Sequence, residues 1–342
     1  MSKDKDYYIL KKSQIRETKS AKSVLVKSNQ PITKSKAISK GQIVATFGKE
    51  YIVEDSDTNE FFECLISGTL KSASRNSSLA VVGDFVRYSI KNETGKTGLP
   101  LGKLEEIIER KSKLSRKRVG KTDVEQVIAA NLDCVVIFFA AIDPAYNRRL
   151  IDRFLVTAEQ NELTPIIVIN KTDLVDIDSI WSDFDVYRNL GIEVKFISTF
   201  ENTGVKELYD SIANQTSIIT GPSGVGKSTF VNAILGHTAQ MVNEISERTL
   251  KGQHTTSSSK LFTMENFGRI IDSPGLREFG LWELDKSELS LYFHDFDKAR
   301  LNCKFSSCSH THEPNCGVKA AYDVEEIDYQ RYESYLNLYN SL

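Results

Sequence analysis

Long apolar runs are missing from this 342-residue chain. Its longest, Cys134 to Ile142, is too short to cross a bilayer as a helix and suits a strand buried on both faces. No secretory leader stands at the start, so a soluble, cytoplasmic protein with no membrane partner is expected. Internal repeats are missing too, which argues against solenoids and propellers. Cysteine is scarce: of five, Cys64 and Cys134 lie alone in strand-like segments and read as small buried hydrophobes. Cys303, Cys308 and Cys316 cluster with histidines, which points to metal binding rather than disulfides. The net charge is only −2, so the chain as a whole shows no strong preference for nucleic acid.

That small total hides an uneven distribution. Residues 1–40 hold eleven Lys and Arg against three Asp and Glu, a net +8 that leaves −10 for the rest. Such a basic stretch reads as a disordered tail, either an arm that touches RNA or a solubilising leader. It is Ser-rich and acid-poor like a transit peptide, but it uses Lys where mitochondrial presequences favour Arg.

The length leaves room for two or three domains. Residues 41–112 read as five short strands: Gln42 to Phe47, Tyr51 to Glu54, Phe61 to Ile66, Phe85 to Ile90 and Lys103 to Ile108. In the first, Ile43, Ala45 and Phe47 alternate onto one face. Five such strands suit a small closed barrel, an OB-fold or an SH3-like one. From about residue 125 the pattern turns α/β. Buried strands are expected at Leu132 to Ala141, Pro165 to Ile169, Val194 to Ile197, Ser217 to Thr220 and Phe267 to Ile271. Helices are expected at Arg148 to Gln160 and Lys227 to Leu235. The last stretch, from Asp285, is polar and aromatic and ends in a helical pattern from Val324 to Leu338.

Two motifs give the α/β region its chemistry. Gly221, Pro222, Ser223, Gly224, Val225, Gly226, Lys227, Ser228 and Thr229 form a phosphate-binding loop of the type GxxxxGK[ST]. It follows the apolar strand Ile218-Ile-Thr220 and opens a helical pattern, the context that such a loop requires. Its glycines let backbone N–H groups turn inward around phosphates, and the helix N-terminus adds a favourable dipole. Lys227 is placed to bridge β- and γ-phosphates, and the Ser228 hydroxyl to bind Mg2+. Asn170, Lys171, Thr172 and Asp173 form an NKxD element at the end of a buried strand. Asp173 can accept from guanine N1–H and the exocyclic amine, a donor pair that adenine lacks. Asn170 serves the N7 side and braces the phosphate loop, and the Lys171 stem lies over the base. Ser198-Thr199 suits the loop backing the guanine. In ordinary GTPases the phosphate loop comes first. Here NKxD precedes it, so the domain reads as circularly permuted.

Asp272-Ser-Pro-Gly275 completes the set. Asp272 can hold a water on Mg2+, and the Gly275 N–H can meet the γ-phosphate. Leu276 follows, where Ras-like GTPases carry a Gln that orients water, so that route to hydrolysis is absent. Gly252-Gln-His-Thr-Thr256 lies where the first switch belongs. Thr255 or Thr256 can bind Mg2+, and His254 reads either as the water-positioning group or as a polar loop residue. The basic run Lys111, Lys113, Arg116, Lys117, Arg118 and Lys121 reads as a contact to RNA phosphates or a solvated linker. Towards the C-terminus, Cys303, Cys308, His310 and Cys316 make a closed set of three thiolates and one imidazole, suited to structural Zn2+. His312 is an alternative nitrogen ligand.

With these motifs in this order, the chain closely resembles the circularly permuted, small-subunit-dependent GTPases of the RsgA (YjeQ) family. Val81-Val-Gly-Asp84, Ile128-Ala-Ala-Asn131 and Asp272-Ser-Pro-Gly-Leu-Arg-Glu-Phe-Gly280 carry the resemblance alongside the nucleotide motifs and the Cys/His set. It implies an N-terminal OB-fold barrel (41–112), a permuted α/β GTPase domain (113–281) and a mostly helical C-terminal zinc-binding domain (282–342). It implies GTP hydrolysis stimulated by the 30S subunit, contact with 16S rRNA, and a late role in subunit maturation with hydrolysis driving release. It favours His254 as catalytic and assigns zinc to Cys303, Cys308, His310 and Cys316. The chain is expected to act as a monomer on GTP and GDP. Loss of the γ-phosphate should relax both switches and reorient the zinc domain against the barrel, two RNA-binding arms. The rival expectation is a GTP-switched rRNA-binding checkpoint protein whose hydrolysis is incidental.

Overall fold

In the computed structural model, residues 38–66, 80–117, 125–235, 259–264, 268–272 and 284–342 are described. In the first strands, alternate side chains such as Tyr51 and Val53, Phe62 and Cys64, and Val86 and Tyr88 share one core. β1 (Ile38–Phe47), β2 (Glu50–Asp55), β3 (Phe61–Ile66), β4 (Phe85–Thr94) and β5 (Pro100–Ile107) pair in the order β1-β2-β3-β5-β4, and β4 returns to β1. β3 and β5 run parallel while the other neighbours are antiparallel, so the closed barrel is OB-like rather than SH3-like. Ile43, Val53, Phe62, Val86, Tyr88 and Leu104 fill it. Tyr88 spans that apolar interior and donates its hydroxyl to Asp55 at 2.5 Å, which satisfies a polar atom that burial would otherwise penalise.

The simple alternation expected for β1 is interrupted. A register shift between Ile43 and Ala45 inserts an extra residue, and Gly41 through Ala45 are buried in succession. Beyond that bulge Ala45 pairs with Lys260, so β1 joins the barrel to a second set of strands.

That second set comprises β8 (Cys134–Ala140), β9 (Thr164–Asn170), β10 (Glu193–Phe196), β11 (Thr216–Thr220), β12 (Lys260–Thr263) and β13 (Arg269–Asp272), in the order β10-β9-β8-β11-β13-β12. All neighbours are parallel except β12, which returns antiparallel to β13. Every residue of β8 is buried, as a parallel strand covered on both faces requires. Helix Arg148–Gln160 and helix Lys227–Leu235 have the expected bounds. Phe230 of the latter meets Phe138 of β8, with ring centroids 5.2 Å apart. The hairpin of β6 (Lys113–Lys117) and β7 (Glu125–Ala130) was not foreseen, nor was β12. β6 is too basic to show an apolar pattern.

A polar seam runs alongside the β1–β12 bridge. Gln42 and Asn131 both donate to the Gly83 carbonyl, at 3.0 and 2.9 Å, and Gln42 also accepts from Arg269 of β13. Gly83 has φ 91°, and a Cβ there would lie 2.1 Å from the Ala130 carbonyl oxygen. Asp84 beside it is fully buried and holds Arg110 through two contacts of 2.6 and 2.8 Å.

The chain divides into two compact units. Lys34–Tyr146 and Thr157–Trp282 form one; Asn147–Val156 and Glu283–Leu342 belong to the other. Helix Arg148–Gln160 therefore serves both, its residues through Val156 in the second. No described residue of the second unit lies in a strand. Its terminal helical pattern differs from the expected Val324 to Leu338: helix Gly317–Asp323 ends before Val324, and helix Tyr329–Ser341 starts later. The break falls where Glu325 has φ 61°, and Asp328 caps the new helix by accepting from the Arg331 N–H at 3.0 Å.

Candidate functional site

Because β8, β9, β10, β11 and β13 are parallel, their carboxyl ends meet at one edge of the sheet, where ligands bind in open α/β folds. Motifs far apart in the chain meet there. Gly221 follows β11 with φ 132°, and a Cβ on it would stand 2.0 Å from the Phe138 carbonyl oxygen. Gly226, φ 97°, passes so close to Asn170 that a Cβ would lie 2.1 Å from its Nδ2. The Lys227 ammonium donates to the carbonyls of Gly221 (2.8 Å) and Pro222, folded back within its own loop. Ser228 and Thr229 are exposed at the start of helix Lys227–Leu235.

Asn170 is fully buried and acts as the brace expected of it. Its Nδ2 donates to the Val225 carbonyl at 2.8 Å and to Thr199 Oγ1 at 3.1 Å, while its Oδ1 accepts from the Thr199 N–H at 3.0 Å. Asp173 Oδ1 accepts from Ser198 Oγ at 2.6 Å, and the same Ser198 oxygen accepts from the Glu201 N–H at 3.0 Å. Lys171, with φ 62°, lays its stem across to donate to the Asp143 carbonyl. Thr199, expected in the loop that backs the guanine, is a full partner of Asn170. One neighbour escaped sequence reasoning. The loop after β8 also borders the site: Asp143 receives Lys171, and Pro144 comes 3.7 Å from a Cβ built on Gly224. Its place after a fully buried strand was the signal, since carboxyl ends of such strands carry the ligand loops.

Asp272 is exposed at the end of β13. His254, Thr255, Thr256 and Gly275 lie outside the described residues, as do Leu276, Arg118, Lys121 and the tail before Ile38.

In the second unit the Cys/His set does converge. The ligand atoms of Cys303, Cys308, His310 and Cys316 lie within 4.8 Å of one another. The Cys303 and Cys316 sulfurs are 3.9 Å apart, and each is 3.5 Å from His310 Nδ1. A tetrahedral zinc with bonds of about 2.3 Å to sulfur needs edges of about 3.8 Å, so the donor set fits. Backbone N–H groups of Gly317 and Lys319 point at the Cys303 and Cys316 sulfurs, at 3.3 and 3.5 Å. Burial pushes the Cys308 and Cys316 thiols up, and a bound cation reverses that preference. Burial, with Arg300 nearby, pushes His310 down to about 4 and keeps the imidazole a neutral ligand. His312 is exposed and bonds to Thr311, outside the cluster. Glu313 braces the loop by accepting from the N–H groups of Ser309 (2.7 Å) and Thr311 (3.2 Å). Burial opposes its charge, but these bonds prevail and hold its pKa at about 2. Tyr332 and Tyr335 of the last helix clamp the loop through the His310 and Ser309 carbonyls, at 2.8 and 2.5 Å.

A phosphate loop, a guanine-reading loop and an inverted chain order on one α/β sheet define a circularly permuted P-loop GTPase. A sequence model of the RsgA GTPase family matches residues 107–282. The chain is 39% identical over 306 residues to the small ribosomal subunit biogenesis GTPase RsgA of Chlorobaculum parvum, covering 88% of this chain and 97% of that protein. To the protein of the same name from Flavobacterium johnsoniae it is 34% identical, over 87% and 92% of the two chains. Among solved structures, YjeQ from Thermotoga maritima superimposes with a TM-score of 0.70 at 31% identity, covering 89% of this chain and 98% of that one. YloQ, a circularly permuted GTPase, gives 0.68 at 26% identity, covering 91% and 97%. The chain belongs to the RsgA GTPase family and is a GTP hydrolase.

Proposed function

We propose that this GTPase binds the 30S ribosomal subunit through 16S rRNA, is stimulated by it late in maturation, and leaves on hydrolysis. The carrying observation is near full-length likeness to proteins named for small-subunit biogenesis, and the bonds of Asn170 to Val225 and of Ser198 to Asp173 support a guanine site there. In this reading Lys227 bridges the β- and γ-phosphates and the Gly275 N–H meets the γ-phosphate. Ser228 and Asp272, with Thr255 or Thr256, hold the Mg2+ that neutralises phosphate charge. His254 positions the attacking water in place of the Gln that Leu276 replaces. Cys303, Cys308, His310 and Cys316 hold one structural Zn2+, which leaves no open position for catalysis. The tail (1–40), barrel (41–112), GTPase domain (113–281) and zinc domain (282–342) are the working parts of a cytoplasmic monomer. Among the described residues no helix is long and apolar enough to cross a membrane.

GTP turnover of the purified protein, alone and with separated small or large subunits, tests this. Stimulation by the small subunit only is the expected result, and His254→Ala should remove it. Intact GTP binding with no stimulation by either subunit would favour an rRNA-binding switch whose hydrolysis is incidental.

A further inference from the structure

Phe200 is the most exposed large hydrophobic among the described residues, with 88% of its surface in water. Single exposed apolar residues are ordinary. What sets this one apart is how firmly its backbone is held and to what. One residue before it, Thr199 is locked to Asn170 through both its N–H and its hydroxyl, at 3.0 and 3.1 Å. One residue after it, the Glu201 N–H donates to Ser198 Oγ, which donates to Asp173. The turn is closed by paired backbone bonds between Ser198 and Thr203, at 2.9 and 3.0 Å. Phe200 is thus the tip of a braced loop that grips both base-reading side chains, yet its ring packs on almost nothing. Elsewhere in the same unit, Phe138, Phe184 and Phe230 are fully buried.

A purine is a flat apolar surface that needs covering on two faces. Lys171 supplies a stem toward one side of the loop cluster by reaching to the Asp143 carbonyl. The geometry points to Phe200 as the cover for the other: its ring stacks on the guanine when nucleotide binds. This rests on the guanine-binding reading of Asn170 and Asp173, and adds to it a contact that senses the base's π-face rather than its edge. Aromatic stacking on a base tolerates any base. Phe200 therefore contributes affinity and slow nucleotide release, while Asp173 keeps the choice of guanine.

The test is calorimetric binding of GDP to the full-length protein and its variants. Phe200→Ala should weaken GDP binding about tenfold, in line with loss of one stacked aromatic. Phe200→Trp should restore affinity, and its indole fluorescence should change on adding GDP. Because the ring is exposed, neither substitution should move the melting temperature. Phe200→Ala binding GDP as tightly as wild type, with Asp173→Ala losing it, would overturn the stacking role and leave the guanine site standing. Normal GDP affinity combined with lost small-subunit binding would also overturn it, assigning the ring to RNA. Failure of the wild-type protein to bind GDP would overturn the guanine reading itself.

Discussion

The two units of this protein hold together by different means. The unit containing the barrel and the GTPase sheet is a run of paired strands, eleven in one continuous sheet. Its cohesion is in the backbone: each strand satisfies its neighbour's N–H and C=O groups over a mixed aliphatic and aromatic core. The unit containing the metal cluster has short helices and turns instead. Its cohesion is in side chains. Phe293, Phe296 and Tyr335 are fully buried against one another, with ring centroids 5.0 to 5.3 Å apart. Arg331 sits 4.5 Å over the Phe293 ring. Its guanidinium reaches Asp295 at 2.8 Å and, on helix Arg148–Gln160, Asp152 at 2.6 Å. A ladder degrades gradually when one rung is lost. A knot of four ligands and one arginine has no such redundancy.

Removing the metal should break that contrast open most widely. Structural zinc contributes on the order of 10 kcal/mol to the folding of small domains. Chelation, or Cys316→Ala, should collapse the tyrosine near-ultraviolet circular dichroism of the second unit. In a Trp282→Phe background the fluorescence of Trp181 should persist, because Trp181 belongs to the first unit. Loss of both signals together would show that the units unfold as one.

Arg331→Ala comes next. It leaves Asp152, fully buried, facing Asp295 without the cation between them. Breaking a buried pair of this kind costs about 3–5 kcal/mol. Differential scanning calorimetry should show the second unit melting earlier, with Arg331→Lys recovering only part because it lacks the guanidinium fork.

The matched cut in the first unit is Arg110→Ala. It removes the partner of buried Asp84, which keeps its bond from the Val81 N–H at 2.9 Å. Two charged hydrogen bonds are lost, but that bond and the strand ladder stay and Arg110 is less buried than Arg331, so the loss should be about 2–3 kcal/mol. A larger loss than for Arg331→Ala, read from urea midpoints, would invert the comparison.

Much of the first unit was legible before folding. Continuous apolar runs announced β8 and β9, because a strand covered on both faces has few polar positions to dilute the signal. The phosphate loop and NKxD were legible for a similar reason: close contact with a ligand demands particular residues at fixed local spacing. The basic β6 and the short β12 were not legible, since β6 has no apolar pattern and β12, four residues long, pairs on its other side with β1, far away in sequence. The second unit's last helix was misplaced because its aromatic spacing continues across a turn set by Glu325.

By itself, then, the sequence determined the chemistry of the parts: a guanine loop, a phosphate loop, a strand-end aspartate and four residues able to hold a metal, each a matter of residue type at short range. Only tertiary structure decided how they combine. It paired β3 with β5 in parallel, ran β1 through a bulge onto β12, chose His310 over His312, and brought Asp143 to the guanine loops. It also set Asp152 against Arg331, 179 positions away in the chain. Those choices depend on which surfaces meet and exclude water, and no local spacing records that.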